Sequence, residues 1–401
     1  MINFLKTLWK AFFIALKSKY RWLLILFILW LYRVDFISAD GGGLAKTLQV
    51  VTLFGMFFLT ISYRKNLISI AYNRTNLPIQ SVLYLYTYAL ISTAWALIPT
   101  FAFFLSFQNL ALLLVLIWVF GQFHDFKTME KSFLMIAVFT MLFEVITVRF
   151  LEGFSLFYHF LQSGSAAALC FSYCIAELLA MKRLDKERKI LLKWTIVISL
   201  IVLVISTSSG ANVSAICGFA IALFFSRKVF YSLLLFSLGI FLYLNQDLLT
   251  TLMFLVMPGK SLETVSSASG RQALWDVLLN LAAQKPFLGW GYACIERAVT
   301  NTGFMASDAH NNYLGIYGSL GIIGCAFLGL QFLSTMLYSF KRRMKCGYLG
   351  IFAATCCAIL NGYSYGFLSG KACSITVIYF SLVVLSFTYS RVNYYDRYGV
   401  E

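Results

Sequence analysis

The residues of this chain best suited to chemistry lie in two short runs. Arg271 opens Gly270-Arg271-Gln272-Ala273-Leu274-Trp275, and His310 stands in Asp308-Ala309-His310-Asn311-Asn312. A histidine titrates near neutral pH, so at the edge of water it can take a proton from a hydroxyl. A guanidinium presents a planar fork of donors that matches a phosphate at two points. Only three histidines exist; His124 and His159 fall in short turns, and His310 alone sits in a dense polar cluster, between Asp308 and Asn311. Between the two runs, Lys285-Pro286-Phe287-Leu288-Gly289-Trp290-Gly291-Tyr292 reads as a Pro-bounded turn. Its Trp290 and Tyr292 would sit at a bilayer interface or stack on a sugar ring, and the first use is the commoner one. Plain alternatives stand beside the chemical ones: an arginine reaching lipid headgroups, and a histidine packed for structure. The sequence holds no Gly-rich nucleotide loop, no serine nucleophile elbow and no paired-cysteine or His-rich metal site.

Elements must hold these residues in place, and the local pattern supplies one. From Arg271 to Gln284, Leu274, Leu278 and Leu281 recur at helical spacing while Asp276, Asn280 and Gln284 lie off that face. The spacing predicts a short amphipathic helix, stopped by Lys285-Pro286. An arginine in the first turn opposes the helix dipole, so its charge has another use.

The rest of the chain sets the setting. Of 401 residues 60% are hydrophobic and 12% charged, with a mean hydropathy of +0.80. Soluble domains carry about 25% charged residues, so this composition predicts an all-α polytopic membrane protein. Apolar runs long enough for a hydrocarbon core of about 30 Å fall near 22–39, 44–62, 81–98, 104–123, 133–150, 162–181, 190–206, 212–226, 229–245, 312–338, 348–365 and 373–390, about twelve spans. The break between the third and fourth rests on Pro99 and Gln108. Lys6, Lys10 and Lys17 share one face of residues 1–21 and Leu5, Leu8, Trp9, Phe12 and Leu16 the other, which suits a helix lying among lipid headgroups.

A net charge of +16 would suggest nucleic acid in a soluble chain. Here most of the 32 basic residues fall on one set of alternate connections, such as Lys182 to Lys189 and Lys341 to Lys345, so they read as a topology signal. By that rule both termini are cytoplasmic and the long polar loop faces outward. The expected organisation is an interfacial helix over 1–21, transmembrane helices 1 to 9 over 22–245, an outward loop with short helices over 246–311, transmembrane helices 10 to 12 over 312–390 and a cytoplasmic tail over 391–401. The cysteines fall in apolar segments apart from Cys294 and read as packing residues. Glu144 lies near mid-membrane with Arg149 about one turn on, and Arg33 and Asp35 pair similarly. Charges within the spans keep a transporter reading in view.

Gly270-Arg271-x3-Trp275, Pro286-x2-Gly289-x-Gly291 and His310-Asn311-x9-Gly321-x2-Gly324, in that order after the ninth apolar run, resemble the bacterial O-antigen polymerase and ligase superfamily. The resemblance covers roughly residues 200–330. It implies a glycosyltransferase of the inner membrane whose large loop is periplasmic and whose donor is a glycan on undecaprenyl diphosphate. It needs no cofactor. Carried over by position, Arg271 would hold the diphosphate and His310 would activate the acceptor hydroxyl. Asp308, Asn311, Trp275 and Trp290 would help bind substrate. Many members have a second arginine before the eighth span, where this chain has Ser208-Ser209-Gly210-Ala211-Asn212; Arg297, Arg149 or Lys260 are the candidates to replace it. Loop carboxylates are widely spread, so metal-independent chemistry is expected. The leading expectation is a polymerase of lipid-linked repeat units, with ligation to the lipid A core as the alternative and glycan transport as a second alternative. Membrane lipids and a chain-length regulator protein are the further partners implied, and nucleic acid is not one.

Overall fold

In the computed structural model the described residues are most of 50–61, then 76–120, 126–151, 161–180, 185–245, 271–303 and 308–392, with isolated positions at 247, 248 and 251. The interfacial helix expected over 1–21, the first span with Arg33 and Asp35, Lys260 and the tail beyond 392 lie outside them. So do His124 and His159.

Among the described residues the chain is helical throughout, with no strand. In order, the helices are α1 (Leu77–Ile91), α2 (Pro99–Phe120), α3 (Phe126–Leu151), α4 (Leu161–Ala180), α5 (Lys186–Ser206) and α6 (Ser209–Phe225). There follow α7 (Val229–Leu244), α8 (Gln272–Gln284), α9 (Ile295–Thr300), α10 (Asn312–Cys346), α11 (Gly350–Asn361) and α12 (Ser374–Val392). An apolar segment in lipid must satisfy its own backbone, which is why the greasy runs become helices. Pro99–Phe120, Leu161–Ala180, Lys186–Ser206 and Asn312–Met344 are long and apolar enough to cross a membrane. The other bundle helices are apolar and shorter, or carry more charge.

Small residues let α4 run through the middle. Ala166, Ala167, Ala168, Cys170 and Cys174 are buried, and α3, α5, α6, α11 and α12 all pack on this helix. A Cβ on Gly218 of α6 would come 2.1 Å from the Ser172 hydroxyl of α4, so α6 approaches at backbone distance. At the end of α11 far from Ser364, Arg188 of α5 bridges Glu130 of α3 and Glu177 of α4, at 2.7 Å and 2.8 Å through Nη2. The other Glu177 oxygen accepts the Leu349 and Gly350 N–H groups at the start of α11. Breaking one partner out of such a buried charged set costs about 3–5 kcal/mol, so the network ties four helices together.

The junction between the third and fourth apolar runs differs from the sequence reading. The third apolar run does not continue to residue 98: α1 stops at Ile91, a 3₁₀ turn covers Ser92–Trp95, and Ala96 is extended. Gln108, taken as a break, lies inside α2 and is buried. Residues 92–97 are instead a dock for the polar loop. Leu97 N–H donates to Trp290 O at 3.0 Å, Trp95 Nε1–H to Leu288 O at 3.1 Å, and Tyr292 N–H to the Ser92 hydroxyl at 3.0 Å.

The other side of the same loop grips α10, which is not one straight helix. Gly321 has φ 64° and ψ −162°, a conformation open essentially to glycine alone. Ile322 N–H donates to Pro286 O, Trp290 N–H to Gly318 O and Gly291 N–H to Ser319 O. A Cβ on Gly321 would lie 2.2 Å from Phe287 O, one on Gly289 2.4 Å from Ser319 O, and one on Gly291 2.3 Å from Ala96. The Pro286 to Gly291 and Gly321 motifs are thus two halves of one interlock. We expect Gly321→Ala to strain the backbone by about 1–3 kcal/mol, lowering both activity and the thermal midpoint of the detergent-solubilised protein. An unchanged midpoint would show that the loop is not anchored there.

Tyr292 is neither a belt residue nor a sugar platform. It is fully buried, with its hydroxyl 2.9 Å from Leu368 O and 2.8 Å from Gly370 O, and it accepts from Asn109 Nδ2. A long loop packed into the bundle needs such an anchor, and hydropathy does not reveal it.

Candidate functional site

The amphipathic segment does fold as a helix. Leu274, Leu278 and Ala282 of α8 are buried, while Asp276, Asn280 and Gln284 face outward. Its buried side forms one cluster with Ile295, Ala298 and Val299 of α9 and with Ala309, so α8 carries the turn before α10 on its apolar face.

Arg271 stands at the N-terminal boundary of α8, half-buried, and donates from Nη1 to Ser364 O at 2.9 Å. Burial lowers its pKa from the usual arginine value, and the Asp308 charge opposes that. Ser364 follows α11, and Ser364 Oγ would lie 2.1 Å from a Cβ on Gly210. The first turn of α6, capped by Ser208 and running to Asn212, therefore sits against the residue that anchors Arg271. No cation stands in that turn, but Ser208 is buried and its hydroxyl has no hydrogen-bond partner among the described residues; the Asn212 Nδ2 donor has none either.

Four contacts fix the turn that carries the histidine. Asp308 Oδ1 accepts the His310 N–H at 3.0 Å. Trp275 of α8 donates its indole N–H to Ala309 O at 3.0 Å. Asn311 caps α10, its Oδ1 accepting from the Tyr313 and Leu314 N–H groups at 2.9 Å and 3.1 Å. Asn312 N–H donates to Gly362 O at 2.7 Å. The result is a left-handed His310, φ 50°, a sparsely populated conformation for a side-chain-bearing residue.

The imidazole is 29% exposed; its Nδ1 is buried, 3.9 Å from Asp308 Oδ2 and without a hydrogen-bond partner among the described residues. Burial pushes its pKa down, Asp308 pulls it back up, and Arg271 adds to the lowering. At neutral pH the ring is therefore a neutral base, next to a cation and at the surface. Such a group can accept a proton while its neighbour holds an anion.

The structure brings Arg271, Asp308, His310, Asn311 and Trp275 into one locality. It accounts for the other candidates differently. Trp290 donates its indole N–H to Leu281 O at 2.9 Å, and the Lys285 ammonium lies 4.1 Å from its ring centre, so it clamps the end of α8. Arg297 is exposed, its guanidinium 5.0 Å from the Phe101 ring centre. Arg149 lies in α3 with its side chain outside the described residues, as Lys260 is altogether. Among the described residues no three His, Cys, Asp or Glu side chains gather as a metal site.

Sequence reasoning passed over Glu296 of α9, which is 8% exposed, with Oε2 lacking a hydrogen-bond partner among the described residues and a pKa that burial raises to about 8. It also passed over Ser364, which acts through its carbonyl and so leaves no signal in residue type.

Residues 194–329, about a third of the chain, match the family model described as O-Antigen ligase. That interval runs from α5 past the bend of α10 and contains Arg271, Glu296 and His310. The match supports the O-antigen polymerase and ligase superfamily to which the three motifs pointed. No curated protein matches the chain.

Proposed function

We propose that the protein is a glycosyltransferase that joins oligosaccharide repeat units carried on undecaprenyl diphosphate into an O-antigen or related surface polysaccharide. The observation that carries this reading is the convergence of Arg271 and a neutral His310 around Ser364 and the 308–311 turn. The acceptor hydroxyl loses its proton to the exposed edge of His310 as its oxygen bonds to the donor's anomeric carbon. The bond from that carbon to the diphosphate breaks, and the lipid diphosphate leaves with the electron pair. Arg271 neutralises the charge that develops on it, through donors not engaged by Ser364. A sugar on a diphosphate already has a good leaving group, so this chemistry needs neither metal nor cofactor. The site faces the periplasm from a chain with both termini in the cytoplasm, in contact with membrane lipids and a chain-length regulator.

The description of the matched family favours a second reading, ligation of the finished glycan to the lipid A core, with the same donor and a different acceptor. Deleting the gene in the source bacterium separates the two. Lipopolysaccharide carrying a single repeat is expected for a polymerase. Unsubstituted core with accumulated lipid-linked polymer would replace that reading by the ligase one, and unchanged lipopolysaccharide would sink both.

A further inference from the structure

We propose that Asp308 is the positioning residue of His310: its carboxylate faces the buried ring nitrogen Nδ1 and keeps the proton of the neutral ring there, which leaves the lone pair on Nε2 for the acceptor hydroxyl. The inference rests on the glycosyl-transfer reading for the reaction that Nε2 serves. Asp308 meets the histidine twice. Its Oδ1 accepts the His310 N–H at 3.0 Å, which fixes the carboxyl across the turn, and its Oδ2 then lies 3.9 Å from Nδ1. That nitrogen is buried without a hydrogen-bond partner among the described residues, and a buried polar atom left so is costly. A movement of about 1 Å makes the bond to Oδ2, and such bonds are often long until substrate is in place. On the other side of the carboxyl, a Cβ on Gly366 would lie 3.0 Å from Asp308 Oδ1 and 2.7 Å from Ser369 Oγ, so the segment after α11 closes over Asp308 and holds it on the turn. The resemblance put Asp308 among the substrate-binding residues, but a carboxylate repels a diphosphate. Acting through the ring, its charge has the right sign. As the acceptor O–H breaks, its proton bonds to Nε2 while Nδ1 keeps its own, the new sugar bond forms and the lipid diphosphate leaves with the electron pair. The ring is then a cation, which Arg271 opposes and Asp308 offsets. Asp308 gains no proton at any point. The charged and titratable groups that feel Asp308 besides the imidazole are Arg271 at the start of α8, Glu296 of α9 and Tyr365 beyond α11.

The test is Asp308→Asn. It keeps an oxygen for the His310 N–H and so preserves the turn, but it replaces the charge facing Nδ1 by an amide donor, which moves the ring proton to Nε2. Turnover of lipid-linked repeats by purified protein is measured beside nitrogen NMR of histidine-labelled protein, which needs no substrate. The His310 ring is identified there by its absence from His310→Ala. In Asp308→Asn, kcat is expected to fall by about 100-fold or more, as for a base held in the wrong tautomer, with the donor KM nearly unchanged. The neutral wild-type ring should carry its proton on Nδ1. In Asp308→Asn it should carry it on Nε2 and titrate at lower pH, because the charge that raised its pKa is gone. A part in the turn alone leaves turnover, tautomer and titration near wild type, and that result would overturn the proposal. So would a raised donor KM with kcat unchanged, which would make Asp308 a substrate ligand. If Asp308→Asn does not fold, the wild-type spectrum decides: a neutral ring protonated on Nε2 overturns the assignment, and one protonated on Nδ1 supports it. The expected tautomers in a protein that transfers no sugar would refute the glycosyltransferase reading and leave the positioning of His310 by Asp308 intact.

Discussion

His310→Ala lowers turnover by about 100-fold or more while donor binding stays near normal, because a positioned general base contributes typically ~10²–10⁴. The structure sharpens this expectation. Burial holds the imidazole pKa below the ordinary histidine value, and Arg271 adds to that, so the ring is neutral where the reaction runs. Turnover should then fall as pH drops through the lowered His310 pKa, since the protonated ring has no lone pair to offer. The limb should lie on the acid side of where an ordinary histidine would put it. Equal membrane abundance of the variant, measured by immunoblot, controls for folding. Near-normal polymer from well-expressed His310→Ala would return the residue to a packing role, and a loss of donor binding would move it to the phosphate site beside Arg271.

Arg271→Lys keeps the charge and still loses most turnover. The guanidinium has one donor on Ser364 O and others free for a phosphate, whereas an ammonium carries its three donors on one nitrogen and cannot offer the planar two-point fork. Hydrogen bonds to charged groups are worth about 1.5–3 kcal/mol each, so losing one from the transition state amounts to roughly 10- to 100-fold in rate. Arg271→Ala, which loses both fork and charge, should be worse. The measurement is kcat/KM for the lipid-linked donor. A lysine variant at the wild-type rate would show that charge alone is used and that the two-point geometry is not.

Composition and hydropathy determined by themselves that the chain is helical and built for a membrane, because lipid leaves an apolar segment few other ways to satisfy its backbone. Helical periodicity likewise marked α8, since Leu274 and Leu278 and the outward Asp276, Asn280 and Gln284 report a two-sided environment that only a helix offers at that spacing. Motif spacing singled out Arg271 and His310, the proposed cation and base, because residue type alone limits which side chains can do either task. The motif glycines were visible as well, but not their purpose. That Gly289 meets the Ser319 backbone, Gly321 the Phe287 carbonyl and Gly291 the Ala96 side, that residues 92–97 end α1 to receive the loop, and that Tyr292 is buried rather than interfacial were decided by packing between segments far apart in the chain. Ser364 and Glu296 belong with these. Ser364 meets Arg271 through a main-chain carbonyl, and burial raises the Glu296 pKa to about 8; both properties exist only once the fold has brought α8, α9 and the end of α11 together around the 308–311 turn.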